Sequence, residues 1–264
     1  MKIKSIIAAL LMGCLFVPAH SFAQEDEVTY LTEKENDLRL RTGLEFEKKL
    51  PRKFSIKFGE EFRLKESFTE VDRIHSEVDF SYDPFKWLKV SAVYRFTAID
   101  HDGKKKTDFK KYWDLRHRMS FNVALIYRTC YNWKFSLKER VQSTFMSKHK
   151  YDPREKNSPM WVLRTKLQAD YKFRHLPLAP FTYVELCNTL NAPELANGNY
   201  INKMRAALGM EYRFNRRSSM ELVYIFDYDL NKNVNVKNST GELKSITDEK
   251  EFNHIISVSY KYRF

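Results

Sequence analysis

Past Val17 the chain has no apolar run close to the roughly 18 residues that a membrane-crossing helix needs. Charged residues make up 30% of its 264 positions, so a helical membrane protein is excluded. The mature chain shows no helix-period segment and no linker on the scale of a domain boundary, which leaves one large domain. Cysteine is scarce. Cys14 falls in the N-terminal leader, and Cys130 and Cys187 lie too far apart to form a recognisable metal or redox motif. A bond between these two thiols stays open at this level. No Cys/His cluster and no paired-carboxylate spacing points to a metal, and nothing calls for a cofactor.

What the chain has instead is alternation. In its last residues Ile256, Val258, Tyr260, Tyr262 and Phe264 share one face, and Ser257, Ser259, Lys261 and Arg263 share the other. The pattern runs to the final carboxylate, where terminal residues ordinarily fray. It recurs in about eleven segments: 38–47, 54–64, 74–82, 88–96, 113–125, 131–145, 161–173, 181–190, 204–214, 220–228 and 254–264. Each is near the length that crosses a bilayer at a tilt. In 181–190 the phase is ambiguous, because Phe181 and Tyr183 oppose Val184 and Leu186.

Short turns, around Leu50-Pro51-Arg52, Asp83 to Lys86, Thr129 and Asn215 to Ser218, alternate with polar loops. Those loops are 101–106, 146–159, one around Asn197-Gly198-Asn199, and a long one over about Leu230 to Glu251. The expected fold is all-β: an antiparallel up-and-down transmembrane barrel of about 12 strands, with 10 as the alternative. Parity requires something to carry the chain outward before Leu38. Either Val28 to Glu35 is a weak twelfth strand, or the N-terminus threads the lumen. Met1 to Ala23 reads as a cleaved secretory signal: Lys2 and Lys4, the apolar run Ile6 to Val17, then Ser21-Phe22-Ala23. Residues 24–264 then form a single barrel domain. Leu11 to Cys14 resembles a lipobox, but apolar residues continue past it to a conventional cleavage site.

Alternation alone does not say which face is wet, since a soluble barrel keeps its apolar side chains inside. The secretory leader and the terminal aromatic strand favour apolar outside. So do the aromatics crowding strand ends, such as Trp87, Trp113, Trp133 and Trp161. The enclosed face then collects Arg39, Arg41, Lys57, Arg63, Lys89, Arg95, Arg116, Arg118, Lys134, Lys138, Arg140, Arg164, Lys166, Arg205, Arg213, Lys261 and Arg263. Against them stand Glu45, Glu47, Glu61, Glu77, Asp79, Asp170, Glu211, Glu221, Asp227 and Asp229.

The closing Tyr260-x-Tyr262-x-Phe264 is similar to the assembly signal of Gram-negative outer-membrane proteins. That resemblance implies an outer-membrane location and the barrel-assembly machinery as a partner. The mature chain also resembles the uncharacterised barrel family called domain of unknown function 2490. The phrases that carry the resemblance are Phe62-Arg63-Leu64, Trp87 to Phe96 (WLKVSAVYRF) and Leu208 to Phe214 (LGMEYRF). The family implies a fold and a location, not a reaction.

A lumen with nearly twice as many basic as acidic groups favours anions if it holds water. If it is plugged, Arg–carboxylate networks replace a core, and the barrel is a structural or ligand-binding element. The basic stretches Lys104 to Lys106 and Lys148 to Lys156 suit lipopolysaccharide phosphates. Nucleic acid is not expected despite a net charge of +12, because the charge is spread along strands rather than gathered. No enzyme is expected. Barrel hydrolases resemble families with His-x-Ser or His-Gly-Ser-Asn phrases, which do not occur here, and His75, His117 and His254 are isolated. His117 reads as a rim residue or a phase slip, and Glu139 and Glu185 depart from the pattern, read as bulges with a functional carboxylate as the alternative. The oligomeric state is left open.

Overall fold

The computed structural model describes residues 29–101, 112–146, 159–191, 200–236 and 243–264. The leader, its lipobox-like stretch, both basic loops and Asn197-Gly198-Asn199 lie outside them. Eleven strands close into a barrel. They are β1 (Thr29–Lys49), β2 (Phe54–Lys65), β3 (Glu70–Phe85), β4 (Leu88–His101), β5 (Tyr112–Arg128), β6 (Trp133–Met146), β7 (Met160–Tyr171), β8 (Leu178–Thr189), β9 (Tyr200–Arg213), β10 (Ser218–Val236) and β11 (Leu243–Arg263). Every pair of consecutive strands is antiparallel.

The closure is not. β1 and β11 pair in parallel, in register from Thr29↔Ser245 to Glu47↔Arg263. The all-β barrel is as expected, its eleven strands falling between the expected twelve or so and the alternative ten, and the parallel closing pair is the one departure from an antiparallel ladder. With an odd count the first and last strands run the same way, so a parallel ladder is the closure available. The stretch 29–35 is neither a separate strand nor a threaded segment; it is the upper part of β1, hydrogen-bonded to β11. Likewise the expected loop 230–251 is mostly strand, with β10 running to Val236 and β11 starting at Leu243. These extensions are mostly polar in sequence, with only scattered apolar residues such as Leu31, Val234 and Ile246, so their period-2 signal is weak. Backbone pairing needs only neighbouring amides and carbonyls.

The seam is locked at its lower end. The Phe264 N–H donates to the Glu47 carbonyl at 3.0 Å, and Arg263 Nε donates to Glu47 Oε2 at 3.0 Å. The Phe46 and Phe264 rings lie 6.5 Å apart. At this end all connections are short, including a one-turn 3-10 segment Pro51–Lys53. The other end carries the three longest connections, 102–111, 147–159 and 190–199, beside the shorter 237–242 and one tight turn. β2 and β3 are joined by Glu66 to Thr69, with Glu66, Ser67 and Phe68 at φ 51°, 55° and 73°. The Ser67 N–H donates to the Leu38 carbonyl at 3.1 Å, which docks that tight turn on β1.

Apolar side chains point outward all round. Leu44, Phe58, Phe80, Met119, Leu167, Val184, Leu208 and Leu222 are exposed, Leu208 at 66%. Aromatic rings crowd the short-turn rim in contacting pairs: Phe85 with Trp87 at 5.3 Å, Trp133 with Tyr171 at 5.0 Å, and Tyr212 with Phe214 at 5.1 Å. The buried set is largely polar, including Asp114, Asn122, Thr144, Asp227 and Asn253. One apolar cluster interrupts it: Ala207, Val223, Ile225 and Ile255, with Phe181 and Tyr183 packed on top. The ambiguous phase of β8 resolves there, with Phe181 and Tyr183 inward and Val184 outward. Gly209 makes this possible, because a Cβ at that position would stand 2.4 Å from Phe181 Cζ. The ring lies across the bare backbone of β9, a packing that compensates for glycine in a strand.

Candidate functional site

The site is the charged interior. Alternation sends every second side chain of each strand inward, and cross-strand register decides which charges meet. On β2 to β4, Arg63 is bonded to Glu61, and Arg95 to Glu77. Lys57 Nζ lies 3.7 Å from Glu45 and 3.8 Å from Glu77, and Asp79 sits across from Lys57. Nearer the long-loop end Arg39 pairs with Asp37 at 2.7 Å, and Arg116 with the buried Asp114 at 2.8 Å. At the short-turn end Arg213 meets Glu211 at 3.1 Å, and Lys134 meets Asp170 at 3.1 Å.

A chain of alternating charge crosses the other half of the interior. Arg164 on β7 binds Glu185 on β8. Arg205 on β9 bridges, reaching Glu185 at 3.2 Å and Asp227 on β10 at 2.7 Å. Arg41 on β1 stands 3.8 Å from Asp227, and Lys203 stands 3.3 Å from it. Asp227 is 2% exposed, so it faces three cations with little water to share the load. Glu185 is therefore not a bulge. It is in phase with Tyr183 and Cys187, and the register shift in β8 comes later, between Cys187 and Asn188.

The wall formed by β5 to β7 differs. Arg118 donates to the Thr144 hydroxyl at 3.2 Å, and Arg140 Nε donates to Asn122 Oδ1 at 2.6 Å. Asn122 in turn donates to the Ser91 hydroxyl at 2.8 Å. Lys166 Nζ sits 3.7 Å above the Tyr183 ring. Among the described residues no carboxylate lies in ion-pair range of Arg118, Lys138, Arg140 or Lys166. The deep chamber these groups help to line is about 350 Å³ and carries nine basic side chains against two carboxylates, Glu61 and Glu185. Such an excess in an enclosed space is tolerable only with water and mobile counter-anions present.

Below it a second chamber of about 780 Å³ opens at the short-turn rim, between Thr129, Trp133, Lys172 and Arg263. The two share Arg41, Glu61, Lys134, Lys166, Gln168 and Tyr183. Its floor includes Ala179, Phe181, Val223 and Ile225. Sequence reasoning did not single out these inward apolar residues. The signal was present in Leu222 to Phe226 and in Ile255-Ile256, which are apolar in both phases and so leave an apolar side chain on the wet face as well.

The remaining candidates sit outside the lumen or apart from one another. His75 is buried inside, its Nδ1 2.7 Å from the Thr97 hydroxyl. His117 and His254 face outward, each within hydrogen-bond reach of a tyrosine hydroxyl, Tyr94 at 2.8 Å and Tyr224 at 2.6 Å. Glu139 is no bulge either, since β6 keeps its register on both sides. It stays on the outer face, where Thr165 donates to it at 2.8 Å. Glu60 shares that face and accepts from Ser76 at 2.9 Å. Tyr260 faces outward beside Leu44 and Met220, and Phe264 caps the seam. Cys130, exposed in the β5–β6 turn, and Cys187, buried near the opposite end of β8, are both free, which removes the disulfide. Among the described residues no group of three or more His, Cys, Asp or Glu side chains is placed to hold a metal.

A search of curated proteins finds no match. Among solved structures the chain is similar to the β domain of the Bordetella autotransporter Brka, with 11% identity over 80% of this chain and 82% of that one and a TM-score of 0.46. Residues 40–238 match the family model described as a protein of unknown function, DUF2490. That match spans most of the barrel, and the chain belongs to this family of proteins of unknown function.

Proposed function

We propose that the protein is an integral outer-membrane β-barrel whose narrow, water-filled interior passes small anions in preference to cations. The apolar outer surface with its rim of aromatics supports the location, since such a face is stable against lipid and not against water. The secretory leader points the same way. In this reading the short turns face the periplasm and the long connections face outward, where Lys104 to Lys106 and Lys148 to Lys156 contact lipopolysaccharide phosphates. The Tyr260, Tyr262 and Phe264 strand is then the segment handed to the barrel-assembly machinery. No catalytic role is assigned.

The observation that carries the anion preference is the wall of Arg118, Lys138, Arg140 and Lys166, four inward cations without a carboxylate partner among the described residues. An anion moving along β5 to β7 meets successive donors, none of them in ion-pair range of a carboxylate among the described residues, and a cation meets a barrier. Planar-bilayer recording of the purified barrel tests this. The expected result is a small current whose reversal potential shifts toward the chloride equilibrium value in a salt gradient, and toward cations in Lys138→Glu/Lys166→Glu. No current, or a cation-selective one in the unmodified protein, overturns it. A second reading, a non-conducting binding barrel, is favoured by the Arg164–Glu185–Arg205–Asp227–Arg41 chain, which occupies part of the bore.

A further inference from the structure

The chamber at the short-turn rim has a composition that ion passage does not require. A conduit for small inorganic anions needs donors and water; apolar side chains facing that water lose hydration free energy and give nothing back. Yet Ala179, Phe181, Val223 and Ile225 line one side of this space, and the sequence keeps Gly209 bare so that the Phe181 ring can lie across β9. Most cations near the mouth are already neutralised. Lys134 is paired with Asp170 at 3.1 Å, Arg213 with Glu211 at 3.1 Å, and Lys261 with Glu221 at 2.5 Å.

Arg128, bonded to the Lys86 carbonyl at 2.7 Å, and Lys172 stand at the rim without an ion pair among the described residues, and Lys166 differs from them in its depth. Its ammonium sits 3.7 Å over the Tyr183 ring, at the border between the apolar floor and the deep basic chamber. It has no carboxylate in ion-pair range among the described residues; Lys138 stands directly across from it on β6, and Arg140 lies one inward position beyond. Wide mouth, apolar floor and unpaired cation lie in that order along the bore. Ligand pockets that combine a mostly apolar wall with a few convergent polar groups have volumes of this order.

We infer that this chamber binds a single-chain amphiphile with an anionic head, such as a medium-chain carboxylate or alkyl phosphate, entering from the short-turn side. The head passes inward to Lys166, with Lys138 beside it and Arg140 behind, and the chain trails toward the mouth along Phe181, Val223 and Ile225. The head is held by charge-assisted hydrogen bonds. One apolar strip is available, which suits one chain. The inference rests on the reading of the lumen as a space that accepts anions, and it adds the class of ligand.

Equilibrium dialysis of labelled decanoate against the full-length barrel in nanodiscs, with empty nanodiscs as baseline, tests it. Saturable binding above baseline is expected, competed by decyl phosphate and not by decyltrimethylammonium. Lys166→Glu should weaken decanoate binding by about tenfold or more, and Lys166→Arg should retain most of it. Phe181→Gln should weaken decanoate binding without creating affinity for the cationic analogue. Far-UV circular dichroism reports whether each variant folds, and the decanoate-against-decyltrimethylammonium comparison in the unmodified protein stands if one does not. Decanoate uptake no greater than in empty nanodiscs, equal uptake of both analogues, or binding unchanged in both Lys166→Glu and Phe181→Gln would overturn the inference. Chloride conductance on the same preparations separates the two readings. Binding without current removes only the channel, and current without binding removes only the amphiphile site.

Discussion

Replacing Asp227 by Asn tests the charge network at its most enclosed point. The carboxylate accepts from Arg205 at 2.7 Å and faces Lys203 at 3.3 Å and Arg41 at 3.8 Å, and it is 2% exposed. Asn keeps the shape and removes the charge, leaving three neighbouring cations with one anion fewer. Breaking a buried ion pair from one side costs about 3–5 kcal/mol, because the orphaned partner stays desolvated. Here the adjoining basic chamber offers mobile anions, so part of that cost is recoverable. We expect Asp227→Asn to lose about 3 kcal/mol in urea unfolding of the vesicle-inserted barrel at low salt. The loss should shrink as chloride rises, because a bound anion replaces the missing carboxylate. Adding Arg205→Gln should restore part of the stability by removing the orphan. A variant whose unfolding midpoint matches the unmodified protein at every chloride concentration would refute the reasoning, since Asp227 would then hold nothing in place.

Gly209→Ala sets a Cβ 2.4 Å from Phe181 Cζ, so the ring must leave its place over β9. The expected cost is about 1–3 kcal/mol by urea unfolding, largely relieved in Gly209→Ala/Phe181→Ala. Deleting Phe264 removes the N–H bond to Glu47 and the ring beside Phe46. The folded fraction inserted into vesicles should fall, measured by circular dichroism, while Phe264→Trp retains it. In the folded barrel a membrane-impermeant maleimide should label Cys130 rapidly and Cys187 only after unfolding, since the first is exposed in a turn and the second is buried. Equal labelling of both would contradict the placement of β8.

The lumen was legible where it is polar. Arg41, Arg63, Arg95, Arg164, Arg205 and Asp227 can be assigned one face by counting residues in twos, because a strand with one apolar and one polar face has that period. Which of them meet was not legible. Arg205 joins Glu185 to Asp227 only because β9 lies between β8 and β10 in one particular register. For the same reason Lys138 has no carboxylate in ion-pair range among the described residues. The inward apolar strip of Phe181, Val223 and Ile225 was hidden because those segments are apolar in both phases, and an alternation test reports only contrast.

The amino-acid sequence by itself determined the all-β class, the sites of most turns and the two-faced strands, since these follow from local pattern and from what each side chain tolerates against lipid or water. Only the closed tertiary structure decided the count of eleven and the parallel seam of β1 with β11. It also decided that residues 29–37 and 230–236 are strand. Backbone hydrogen bonds made those choices. They join amides to carbonyls whatever the side chains are, so they leave no trace in the pattern of residues.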